Sequence, residues 1–98
     1  MKKENPVLPK SAISLQYKKG KNAAPKVTAK GQEWVAENII KMAQENNIPI
    51  REDKDLLHLL SEIDVGQEVP ESLYKVVAEL LAWVYQLNQN YSSSEQSK

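Results

Sequence analysis

Apolar residues recur along this chain with two different periods, and the change from one to the other marks its elements. From Ala12 to Tyr17, Ile13, Leu15 and Tyr17 alternate with Ser14 and Gln16, the two-residue repeat of a half-buried strand. A turn region with Gly20 and Asn22 follows, and Lys26 to Ala29, centred on Val27 and Thr28, predicts a second short strand. Gly31 lets the backbone turn into a helix over about Gln32–Asn46. There Val35, Ile39, Met42 and Ala43 fall at i, i+4, i+7 and i+8, one helical stripe. Asn46-Asn47 suits the helix stop, because asparagine tolerates the left-handed conformation. Ile48-Pro49-Ile50 predicts a third short strand, with Pro49 facing an edge or a gap in the pairing. A second helix starts near Asp53 or Lys54, capped by Asp53, and carries Leu56, Leu59, Leu60 and Ile63; Gly66 is its expected terminator. Pro70 and Glu71 open a third helix, along which Leu73, Val76, Val77, Leu80, Leu81 and Val84 give the strongest periodicity in the chain.

The order strand, strand, helix, strand, helix, helix predicts an α/β fold. Its expected form is a small mixed sheet of three to four short strands surrounded by three to four helices, with disordered N- and C-terminal tails. The crossover from Lys26 to Ile50 is expected to be right-handed and to leave those two strands parallel. Residues 1–10 carry two prolines and four charges without periodicity and read as a flexible leader. Residues 88–98 hold Ser92-Ser93-Ser94 and no aliphatic side chain, and read as a disordered tail. The folded unit is then 11–87.

Ninety-eight residues, 41% of them apolar, suit one domain with a single small core. The chain has no cysteine, which excludes a disulfide framework and a thiolate zinc site. No apolar run approaches the roughly 20 residues of a membrane span, and Lys2-Lys3 is followed by Glu4-Asn5-Pro6, not by the apolar block of a secretory signal. The expected location is the cytoplasm, without membrane insertion. A net charge of zero conceals a split: residues 1–31 hold eight lysines against Glu4, and residues 32–98 hold five basic against twelve acidic groups. The lysine-rich third also suits a nucleic-acid-binding protein. Against that alternative, it has no arginine and only Tyr17 among aromatics, whereas such sites combine phosphate contacts with stacking.

Short motifs recur in a telling order. Ala23-Ala24-Pro25-Lys26-Val27-Thr28-Ala29-Lys30-Gly31 is followed by Ile48-Pro49-Ile50, by Val65-Gly66-Gln67-Glu68-Val69-Pro70-Glu71-Ser72-Leu73-Tyr74, and by Val77-Ala78-Glu79-Leu80-Leu81-Ala82-Trp83-Val84-Tyr85. In that order and spacing they resemble the cytosolic domain of the FlhB/YscU family, the export-gate switch of flagellar and type III secretion systems. The likeness covers about Ala12 to Leu87. The family breaks its own chain at Asn-Pro-Thr-His, where the asparagine amide attacks its own carbonyl carbon and expels the proline-led fragment. Aligned back from Ala12, this chain reads Val7-Leu8-Pro9-Lys10 at those positions, and Asn5-Pro6 is followed by Val7 and Leu8. The resemblance therefore implies a free-standing copy of the domain without its self-cleavage, and no catalytic residue is assigned.

The family also implies a surface. Its turn and last helix form a shallow apolar patch for export substrates, and the matching positions are Ala24, Pro25, Ala78 and Leu81. The implied partners are export substrates and apparatus proteins, and the implied place is peripheral to the membrane export gate. The family's first strand lies upstream of the break and pairs with the strand matching Ala12–Tyr17. An open edge there is expected, with self-association through Ala12–Tyr17 as one outcome. Lys26 and Lys30 read as solvated, and Trp34, Trp83, Tyr74 and Tyr85 as core or core-rim. His58 has no partners at ligand spacing, so no metal and no cofactor is expected.

Overall fold

The structure, a computed structural model, describes residues 10–18 and 24–96, with side chains up to residue 88. The expected leader up to Pro9, the Gly20 and Asn22 turn and the last two residues lie outside that set. Strand β1 (Ser11–Gln16) and strand β2 (Lys26–Gln32) form an antiparallel hairpin. Helix α1 (Glu33–Glu45), helix α2 (Lys54–Leu60), one 3-10 turn (Glu71–Leu73) and the long helix α3 (Tyr74–Gln96) follow.

Pairing runs from Ser11 opposite Gln32 to Gln16 opposite Lys26, so β2 is longer than its Val27-Thr28 centre suggests. The register slips between Ser14 and Leu15, which face Ala29 and Val27 and leave Thr28 as the extra residue of a bulge. The Ser14 and Thr28 hydroxyls lie 2.7 Å apart, and Thr28 Oγ1 donates to the Ser14 carbonyl at 3.3 Å. Those bonds hold the slip in place.

Among the described residues the sheet has two strands, not three or four, and Ile48-Pro49-Ile50 is not one of them. Pro49 has no N–H to give a ladder, and both isoleucines are exposed. The parallel crossover to Ile50 therefore does not form. The second edge of β2 is closed by residues 66–69 instead. Val27 N–H donates to the Gln67 carbonyl at 3.0 Å, Gly66 N–H to the Val27 carbonyl at 2.7 Å, and Val69 N–H to the Pro25 carbonyl at 2.8 Å. A turn makes this approach: Gln67 N–H reaches the Asp64 carbonyl at 3.0 Å, with Gly66 at φ 92. Gly66 thus serves a turn and does not terminate α2, which ends at Leu60.

α1 packs on both strands, and its buried face is centred on Ala36, not on the stripe read from the sequence. Val35 and Met42 are exposed, while Ile39, Ile40 and Ala43 are half-buried. Val35 nonetheless lies against Gly31 at the entry to the helix. A Cβ there would lie 2.1 Å from Val35 Cγ1, so the helix enters against the bare backbone of β2. The left-handed turn into the helix falls on Glu33 (φ 51), whose N–H donates to the Lys10 carbonyl at 3.2 Å. At the other end Asn47 takes φ 58, and Asn46 Nδ2 donates to the Met42 carbonyl at 2.8 Å, the asparagine stop expected.

Asp53 caps α2 as predicted, its Oδ1 accepting from Leu56 N–H at 3.0 Å. Leu56, Leu60 and Ile63 meet Val27, Val69 and Val77 in the core, with Ile13, Leu15, Leu73, Val76, Leu80 and Leu81 around it. No polar or charged residue is buried among those described. Pro70 precedes the 3-10 turn and accepts from Leu73 N–H at 2.9 Å, and the chain runs on into α3 without a break. The backbone of α3 stays helical to Gln96, where the sequence suggests disorder from residue 88. The extension from Asn88 to Gln96 has no glycine or proline to stop it, and adding a turn to an existing helix avoids the cost of nucleation. The Arg51 guanidinium lies 5.6 Å from the Trp83 ring and ties the segment before α2 to α3. Among the described residues no helix is long and apolar enough to cross a membrane.

Candidate functional site

The end of the hairpin at the Gln16–Lys26 pair, where the strands are joined, abuts the first turns of α3, and a shallow groove of about 190 Å³ lies between them. α3 contributes Tyr74, Val77, Ala78 and Leu81, at i, i+3, i+4 and i+7 on one face. Tyr17, just past β1, and Pro25, just before β2, supply the opposite wall. Val77 is 1% exposed and forms the floor. Tyr17 and Tyr74 stand at the rim, 44% and 43% exposed. Pro25 is buried, and its carbonyl accepts from Val69 N–H, which fixes it to the segment closing the edge of β2.

Of the four positions inferred from the sequence, Pro25, Ala78 and Leu81 line this groove together. Ala24 is half-buried next to Pro25 and is not in the lining. Pro25 is less exposed than its place in a turn suggested, because residues 66–69 close over that edge of β2. Leu81 has two roles, touching the core cluster with one side and the groove with the other. Tyr74 and Val77 share the helical spacing of Ala78 and Leu81, so the periodicity could have identified them. Tyr17 becomes a neighbour only through the hairpin pairing.

The lining is apolar apart from the hydroxyls of the two rim tyrosines. His58 is exposed in the last turn of α2, and Ser61 Oγ donates to its backbone carbonyl at 2.7 Å. Lys30 is not simply solvated: its Nζ donates to the Ser61 carbonyl at 2.7 Å and ties β2 to the end of α2. Lys26 is exposed beside Pro25. Of the four large aromatics expected at the core or its rim, Trp83 is half-buried, and the other three are exposed. Trp34 is 73% exposed, Tyr85 is exposed, and Tyr74 rims the groove, because valines, leucines and isoleucine fill the interior.

Comparison with known proteins gives this arrangement a context. The sequence profile described as FlhB HrpN YscU SpaS Family matches residues 5–84. The chain is 37% identical over 95 residues to the uncharacterized protein YlqH of Bacillus subtilis, covering 97% of this chain and 100% of that protein. It is 46% identical over 77 residues to the flagellar biosynthetic protein FlhB of Escherichia coli, covering 78% of this chain and 20% of that protein's length. The solved cytoplasmic domain of FlhB from Shewanella putrefaciens superposes with a TM-score of 0.78 at 34% identity, over 85% of this chain and 69% of that one. The G247T variant of the EscU/SpaS C-terminal domain gives a TM-score of 0.72 at 35% identity, over 78% and 93% of the two chains. Sequence and fold agree: the chain belongs to the FlhB HrpN YscU SpaS family of bacterial export proteins and corresponds to the cytoplasmic C-terminal domain of its FlhB members.

Proposed function

We propose that this chain is a non-enzymatic docking module of flagellar or type III protein export, working in the cytoplasm beside the membrane export gate. Its groove takes a short apolar segment of an export substrate or an apparatus protein. The observation that carries this reading is the convergence of Pro25, Ala78 and Leu81 on one apolar depression between two rim tyrosines. Ala24, half-buried next to Pro25, lies outside the lining. Small residues let an incoming backbone approach closely, and burial there returns ~25 cal/mol per Å² before the costs of association. The domain acts without cutting itself. Succinimide formation needs an asparagine directly before the proline; the aligned positions hold Val7, Leu8, Pro9 and Lys10, and at Asn5-Pro6 the residues that follow are Val7 and Leu8 in place of the family's threonine and histidine. The outer edge of β1 is a second docking element in this reading. Among the described residues no backbone bond reaches it, and Ala12–Tyr17 can accept a strand from a partner or a second copy.

Fluorescence anisotropy with labelled export substrates tests the groove. Ala78→Asp places a charge at an exposed position of the wall and should weaken capture by about tenfold or more, with the circular dichroism of the wild type. Leu81→Asp should do the same at some cost in stability. A folded Ala78→Asp protein that binds every substrate as tightly as wild type would overturn the assignment.

A further inference from the structure

The outer edge of β1 presents a row of unpaired backbone groups, whose directions follow from bonds made elsewhere in the hairpin. Leu15 pairs with Val27. Val27 sends its N–H to the Gln67 carbonyl and takes the Gly66 N–H on its own carbonyl, both on the far side of β2. Leu15 and Val27 therefore exchange no hydrogen bonds, and Leu15 turns its N–H and C=O outward. The Lys10 carbonyl accepts from Glu33 N–H and the Ser14 carbonyl from Thr28 Oγ1, so the even-numbered residues face the β2 side. Because backbone directions alternate along a strand, Ser11, Ile13, Leu15 and Tyr17 face outward together. Among the described residues no backbone bond reaches that edge, although Ile13 and Leu15 are half-buried against the core cluster. Ser11–Tyr17 also lacks the usual guards of an edge: it has no charge and no proline, and the bulged residue lies in β2.

Pattern and charge choose the occupant. Ile13, Leu15 and Tyr17 share one face of β1, and Ser14, Gln16 and Lys18 the other, so an added strand must alternate in the same way to continue both faces. Lys10 and Lys26 each have an acidic neighbour, Glu33 through the Lys10 carbonyl and Glu68 through a bridge at the far edge of β2. Lys18, exposed just past β1, has no partner among the described residues. A second copy paired antiparallel over the full strand would set Lys10 of each chain level with Lys18 of the other, like charges at both ends. Residues 1–9, folded back along β1, would offer Pro6 and Pro9, which have no N–H, and would carry Lys2 and Lys3 toward Lys18. A separate strand with an acidic end meets neither obstacle. We propose, building on the reading of this edge as a docking element, that it takes an extended antiparallel segment of another protein, apolar at alternate positions, with Asp or Glu beside Lys18.

The probe is the acetylated, C-terminally labelled peptide Asp-Val-Thr-Val-Thr-Val-Thr. Paired antiparallel, its first residue falls opposite Lys18 and its valines beside Tyr17, Leu15 and Ile13. Fluorescence anisotropy with the full chain should show it binding about three- to fivefold more tightly than the same peptide starting with lysine, a difference that shrinks in high salt. Lys18→Glu, at an exposed position, should reverse that order at an unchanged circular dichroism spectrum. In hydrogen exchange, the Ile13 and Leu15 amides should exchange quickly in the free chain and about tenfold or more slowly with saturating peptide, while that of Ala12, facing β2, stays slow in both. Equal binding of the two peptides, each protecting Ile13 and Leu15, overturns the acidic partner and leaves the edge a docking element. Binding by neither peptide, or Ile13 and Leu15 amides already slow in the free chain, overturns the docking edge itself.

Discussion

Replacing Gly31 by alanine should cost this domain much of its stability, through a clash that one side chain alone cannot relieve. The added Cβ would lie 2.1 Å from Val35 Cγ1 and 2.5 Å from Val35 Cβ, where carbon atoms settle at about 3.5–4.0 Å. Rotating Val35 moves Cγ1 away but leaves its Cβ in place. The first turn of α1 must therefore lift from β2, taking Ala36 partly out of its fully buried site. Overpacking of this kind costs about 1–3 kcal/mol, and the need for a backbone shift puts the expectation at about 2 kcal/mol. For a domain of this size that corresponds to a fall in Tm of roughly 8–16 °C. Thermal denaturation followed by circular dichroism measures it. Val35→Ala removes the closer contact and keeps the other, so the double variant should recover part of the loss and not all of it. A Gly31→Ala protein melting within about 2 °C of wild type would refute the close approach as the reason for glycine.

Asp53→Ala should destabilise by about 1 kcal/mol in urea unfolding, because it orphans the Leu56 N–H at the start of α2. Gly66→Ala should cost about 1–2 kcal/mol in the same assay for a different reason: nothing lies within 4 Å of the added methyl, and φ 92 alone opposes it. A second substitution near Gly66 should not rescue it, in contrast to Gly31.

Local signals sufficed where each element is governed by its own residues. The cap at Asp53, the asparagine stop of α1 and the spacing of Tyr74, Val77, Ala78 and Leu81 are all readable within a few positions of themselves. Long-range effects were not readable. Ile48-Pro49-Ile50 has strand composition, yet the free edge of β2 goes to residues 66–69, whose amides are available where proline's is not. The stripe of Val35, Ile39, Met42 and Ala43 is genuine as periodicity, but burial centres on Ala36, which leaves Ile39 and Ala43 half-buried and Met42 exposed, with Val35 at the margin against Gly31. Nor can counting polar residues reveal that α3 outlasts its apolar face. For the groove, the family resemblance pointed to Ala24, Pro25, Ala78 and Leu81, of which Ala24 is outside the lining, while Tyr17 needed the register of the hairpin.

The peptide group of Pro25 binds two regions to one fate. Its ring walls the groove, and its carbonyl receives the amide of Val69, itself 1% exposed in the interior. If the groove docks a ligand as proposed, that ligand would meet a cleft with this wall already bonded in place. Association should be quick, with affinity differences among ligands expressed in how long each one stays. Conversely, loosening Val69 would spoil recognition from a distance without altering any residue that a ligand touches.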